Sequence, residues 1–78
     1  MNLSEYLQKS PRGELLRVSR EIGSHSPDVS RWASGDRPIP IDKCWPIEQA
    51  TNGEVTRKDL RPDDWERIWP ELLEKEGV

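Results

Sequence analysis

Gly23 and Gly35 bracket a segment, GSHSPDVSRWASG, that has room for one turn and one short helix and nothing longer. Gly23 ends a preceding helix by taking the left-handed conformation at little cost. Ser26 followed by Pro27 opens the next one, because a serine caps and a proline at the first helical position gives up an N–H that has no partner there. Asp28 adds negative charge near the positive end of the helix dipole, Val29 and Trp32 are the apolar positions, and Gly35 closes the helix. Upstream, Ser10-Pro11 opens a helix predicted over 11–22, with Leu15, Leu16, Ser19 and Ile22 as its buried stripe and Arg12, Arg17, Arg20 and Glu21 on or near its wet face. Two helices joined by a turn of three or four residues follow from this punctuation.

The flanking segments are helical too. Leu3, Tyr6 and Leu7 have the i, i+3, i+4 spacing of a short amphipathic helix. The linker DRPIP turns the chain over, and a helix from Ile41 or Asp42 to Asn52-Gly53 presents Cys44, Ile47 and Ala50 inward, with Pro46 in its first turn or just past it. A short extended piece at Glu54-Val55 and a turn through Thr56 to Asp59 lead to Leu60, a buried plug. Pro62-Asp63-Asp64 starts a last helix carrying Trp65, Ile68, Trp69 and Leu72 at i, i+3, i+4 and i+7, with a kink or an end at Pro70. The expected architecture is an all-α, compact four- to five-helix domain over 1–70, with 71–78 as a frayed tail.

A chain of 78 residues fits one small domain, and one this small is only marginally able to bury enough surface alone, so self-association is expected. One cysteine and one histidine provide no disulfide framework, no metal site and no nucleophile–base pair, which excludes most enzyme chemistry and calls for no cofactor. No apolar run approaches the roughly 20 residues that cross a bilayer, and MNLSEYLQKS lacks the apolar stretch of a signal peptide, so no membrane partner and a cytoplasmic location are expected. Net charge is −3, but unevenly placed: residues 1–45 hold seven Lys/Arg against six Asp/Glu, and 46–78 five against nine. Contact with phosphate must come from a local cluster in the first part.

Ser19, Gly23, Val29 and Trp32 have the spacing of a helix-turn-helix: a small residue where the helices approach, a glycine at the turn, and two anchors under the second helix. The opposite face carries Ser26, Pro27, Ser30, Arg31 and Ser34. In a DNA-reading helix such residues face the major groove, and Arg31 can donate two hydrogen bonds to guanine O6 and N7. Lys9, Arg12, Arg37 and Lys43 are candidate phosphate contacts, with Ser34 and His25 peripheral. A solvated surface helix remains the alternative on spacing alone, and His25 reads first as a polar turn residue, with a phosphate or base contact as the alternative. Cys44 reads as a small buried apolar residue. Trp65, Trp69 and Leu72 read as core or as a homodimer surface, and the acidic C-terminal half as a solvated face or a surface for a partner protein.

The stretch SPDVSRWASGDRPIPIDKCWPIEQATNGEVTRKDLRPDDW resembles the YdaS-like, Cro-type helix-turn-helix regulators of prophages and related bacterial loci. It has their PDVSRW-like helix, G-x-R-x-[IV]-P linker, C-x-x-I-E-x-A-T-x-G helix and V-T-R-x-D-L-R-P-D segment, and the resemblance runs from Leu3 to about Trp69. It implies a lambda-repressor-like domain that represses transcription from a double-stranded DNA operator, often as a dimer, with Ser26, Pro27, Ser30 and Arg31 facing the bases. Such proteins are described either as Cro-like repressors or as antitoxin-like regulators, which leaves a toxin or another regulator open as a partner. The chain departs from the pattern after the turn glycine, where Ser24-His25 replaces Val-Ser; a buried valine is missing there and the helix cap shifts.

Overall fold

The structure, a computed structural model, describes residues 1–76, with side chains described through Leu73. Each element is helical: α1 (Leu3–Lys9), α2 (Glu14–Glu21), α3 (Ser26–Ser34), α4 (Ile41–Ala50), and the shorter α5 (Arg57–Leu60), α6 (Trp65–Ile68) and α7 (Pro70–Glu76). The described residues include no strand, in keeping with the expected all-α class. Helical segments outnumber the four or five expected because the turn before Leu60 closes as a helical turn and the C-terminal stretch divides at Pro70.

Local chemistry sets these boundaries. Asn2 and Glu5 form a capping box at α1: the Asn2 side chain accepts from the Glu5 N–H (2.8 Å) and the Glu5 carboxylate from the Asn2 N–H (3.3 Å). Ser10 ends α1 rather than starting α2, since its hydroxyl donates to the Tyr6 carbonyl at 2.6 Å. Pro11 opens a turn, not a helix. Gly13 at φ +93° is the cap of α2, which therefore begins at Glu14, three residues later than the sequence predicts.

The inward face of α2 differs accordingly. Leu15, Val18, Ser19 and Ile22 follow i, i+3, i+4 and i+7 toward the core, with Val18 fully buried, whereas Leu16, expected inside, is 47% exposed. Leu3 and Tyr6 of α1, Val29 of α3, Ile39 of the linker, Cys44 and Ile47 of α4, Val55, and Leu60 of α5 complete the core. Within α4, Pro46 is the sixth residue, just past the first turn as expected, and deprives the Asp42 carbonyl of a helical donor. Burial of Cys44 and Ile47 on either side of it offsets that loss.

Beyond α4, polar groups rather than apolar ones direct the chain. Buried Thr51 donates to the Ile47 carbonyl (3.0 Å) and accepts from the Val55 N–H (3.2 Å), closing the turn through Asn52 and Gly53. Thr56 and Asp59 form a second capping box. Arg61 pairs with both oxygens of Asp64 (3.0 and 2.7 Å) and donates to the Ile39 carbonyl at 2.7 Å, holding the α3–α4 linker against the C-terminal part. The expected tail is helical as far as Glu76; Gly77 and Val78 lie outside the described residues.

Candidate nucleic-acid interface

The junction of α2 and α3 is built from backbone hydrogen bonds at a glycine. Gly23 takes φ +70°, its N–H donates to the Arg20 carbonyl (3.2 Å) and that of Ser24 to the Ser19 carbonyl (2.8 Å), the paired pattern that closes helix C-termini. Ser19 is buried where α3 approaches, and its hydroxyl turns back to the Leu15 carbonyl at 2.6 Å, so it presents little bulk. The cap of α3 is His25, not Ser26: His25 is extended (φ −86°, ψ 140°) and its carbonyl accepts from the Asp28 and Val29 N–H groups at 3.0 and 3.2 Å. Ser26 is then the first helical residue and Pro27 the second, where a missing N–H is tolerated as well as at the first position, because neither has a partner within the helix.

Val29, fully buried, with Trp32 and Ala33 packed beside it, pins one side of α3 to the core. Its other side faces outward: Pro27, Ser30, Arg31 and Ser34 are exposed, and Ser26 is half-buried at the near end. The Arg31 side chain is 50% exposed, with Nη1 3.6 Å from an Asp28 oxygen one turn earlier. The Ser34 hydroxyl donates to the Arg31 carbonyl at 3.1 Å, and Gly35 at φ +86° ends the helix. This face presents one long cation surrounded by small groups.

The remaining predicted contacts are distributed unequally around it. Arg37 and His25 are exposed immediately after and before α3, and Arg12 is exposed on the turn ahead of α2. Lys9 borders a cleft with Glu14 and Glu54 to which α3 contributes nothing. Lys43 is half-buried, and its Nζ donates to the Ile22 carbonyl at 3.1 Å. Ser30 and Ser34 share a shallow groove with Ser4 and Gln8 of α1, two polar residues one turn apart that sequence reasoning missed and that only their i, i+4 spacing on a wet face could have signalled.

Of the residues expected on a dimer surface, Trp69 packs against the core and lies 5.5 Å from the Arg57 guanidinium, while Lys58 sits 4.6 Å from the Trp65 ring. Pro70 separates both from Leu72, which belongs to α7, so the three do not form the single helical stripe their spacing suggests. Trp45, 49% exposed and 4.6 Å from Arg57, extends this aromatic surface onto α4. Burial pushes the Cys44 thiol up to about 11, which makes it an unreactive core group. Among the described residues no group of three or more His, Cys, Asp or Glu is placed to hold a metal ion, and no helix is long and apolar enough to cross a membrane.

A family model described as "Bacterial toxin YdaS" matches residues 11–68. The chain is also 45% identical over 49 residues to a protein named "Putative transcriptional regulator YdaS" from Escherichia coli (strain K12), an alignment covering 62% of this chain and 50% of that relative. The chain thus spans about half the length of the curated relative it matches. The two descriptions differ, one a toxin and the other a regulator, and neither is an antitoxin.

Proposed function

The chain belongs to the YdaS family, and from that premise we propose that it is a non-enzymatic transcriptional regulator that reads DNA with α3 as the second helix of a helix-turn-helix. The observation that carries this reading is the two-sided character of α3. Val29 and Trp32 fasten it to the core while Pro27, Ser30 and Arg31 face outward with small neighbours that permit close approach to base edges. The name of the Escherichia coli relative supports a regulatory role.

Arg31 is the proposed reader of guanine, with Ser26, Pro27 and Ser30 beside it. Its contact with Asp28 does not compete seriously: an exposed pair is worth about 0–1 kcal/mol, against about 1–3 kcal/mol for a bidentate arginine–guanine contact. Arg12 and Arg37, with Lys9 at the periphery, would bind phosphates. One such domain makes few contacts, so two copies on an inverted repeat, with half-sites about one helical turn apart, supply the specificity, and the natural operator is upstream of the protein's own gene.

Binding of the purified protein to a duplex from that upstream region, beside a scrambled duplex at two salt concentrations, tests the proposal. Tight, salt-sensitive binding that prefers the upstream duplex is expected, and Arg31→Ala should cost about 1–3 kcal/mol while relaxing preference at one base pair. Equal, weak binding to both duplexes would sink it. The family's description as a toxin favours a second reading, a module that binds a partner protein through its acidic C-terminal half; in that case Arg31→Ala leaves partner binding intact.

A further inference from the structure

We propose that Lys43 is a positioning residue for α3, acting through the carbonyl of Ile22 rather than through phosphate. At the C-terminus of α2 the carbonyls of Val18, Ser19 and Arg20 receive the N–H groups of Ile22, Ser24 and Gly23 at 3.1, 2.8 and 3.2 Å. The Ile22 carbonyl lies beyond that pattern, in the turn itself, and its donor is the Lys43 ammonium at 3.1 Å, from 21 residues away in the first turn of α4. A helix C-terminus attracts a cation, and a hydrogen bond from a charged donor is stronger than a neutral one. The four residues Ile22 to His25 set the angle at which α3 leaves α2, and the backbone of this turn is held from outside by α4 through one side chain.

The placement of Lys43 explains why this lysine is half-buried instead of extended into solvent like Arg12 and Arg37. Its charge is directed at the turn. The consequence for recognition rests on the DNA-reading role proposed above, whereas the clamp on the turn does not, so the two are tested separately.

Hydrogen exchange of the free protein tests the clamp. In Lys43→Met the amides of Gly23 and Ser24 are expected to exchange about tenfold faster, with those of Cys44 to Thr51 unchanged, and Lys43→Arg, which keeps a charged donor, restores the protection. Unchanged exchange at Gly23 and Ser24 in Lys43→Met overturns the proposal. On DNA, Lys43→Met should lose about tenfold on the upstream duplex and little on the scrambled one, with the dependence of log K on log salt unaltered. An equal loss on both duplexes with a slope shallower by about 0.9 is the behaviour of a phosphate contact and also overturns it. Failure of the DNA-reading role itself shows up differently, as a wild-type protein without preference between the duplexes, and the exchange result then still decides the role of Lys43.

Discussion

Replacing Val18 and Leu16 in turn by alanine puts the register of α2 to a quantitative test, because spacing and structure rank the two residues in opposite order. Val18 is fully buried and Leu16 is 47% exposed. Val18→Ala removes two buried carbon groups worth about 0.8 kcal/mol each in transfer, and incomplete collapse around them adds about 1 kcal/mol. The better helix propensity of alanine returns about 0.5 kcal/mol, leaving a net cost of about 2 kcal/mol. Leu16→Ala removes a larger side chain, but one already half in water and with no cavity to leave behind, so about 1 kcal/mol or less is lost. Thermal unfolding followed by circular dichroism should show a midpoint lowered by roughly 8–16 °C for Val18→Ala and by no more than about half that for Leu16→Ala, at about 4–8 °C per kcal/mol. A larger loss for Leu16→Ala would mean that α2 is rotated relative to the core, and the outward direction of α3, which packs on α2, would fall with it.

Two further outcomes concern titratable groups. The Arg17 guanidinium, and after it the Tyr6 hydroxyl, hold the Glu14 carboxyl down to about 2 from the ordinary 4.5. A depressed folded-state value stabilises above the unfolded one, so this contribution is complete above about pH 4.5 and disappears as the pH falls toward 2. Denaturant titrations should find Glu14→Gln less stable by about 1 kcal/mol at pH 7, a figure discounted for solvent screening at the half-exposed Arg17, and indistinguishable from wild type near pH 2; a constant difference across that range would refute the linkage. Cys44, with its raised thiol, should react with an alkylating reagent at pH 8 only as fast as the fold opens, and rapid stoichiometric labelling of the native protein would contradict its burial.

Much of this architecture is legible in single residues. Gly23 and Gly35 announce left-handed helix ends, and both take positive φ where the chain turns. The turn from Thr56 to Asp59 is legible, although the capping box that closes it as a helical turn, with Asp59 reaching back to the Thr56 N–H, emerges only in the structure. Cys44 and Ile47 read as the inner face of α4 from their spacing alone. Illegible were the features that depend on a competition between two local signals. Ser10 can cap the next helix or bond back to the previous one, and the Tyr6 carbonyl wins. Ser26 and His25 can both precede a helix containing Pro27, and the extended backbone falls on His25. The break at Pro70 is itself legible as a kink or an end, and it removes the angular relation that the spacing from Trp65 to Leu72 assumes. At the candidate site the identity of the exposed residues on α3 was readable, whereas the engagement of Lys43 with a carbonyl 21 residues away was not, because no local pattern encodes it.

The distribution of charge reconciles a net charge of −3 with the proposed reading of DNA. Glu14, Glu48 and Asp64 are each committed to an arginine, and Asp59 to the cap at Thr56, so these four of the fifteen acids serve internal contacts. On α3 the acid is Asp28, already beside Arg31. With Lys9, Arg12 and Arg37 as the phosphate contacts, each copy would release about three counterions, a slope of about −2.7 in log K against log salt. Raising salt fourfold would then weaken binding only about fortyfold per copy, far less than for a protein held by about eight or ten phosphates. A regulator made this way has little affinity for arbitrary DNA, and its selectivity depends on the base contacts of Arg31 and on the pairing of two copies. The acidic C-terminal half, on this view, lowers the background against which a few specific contacts are read.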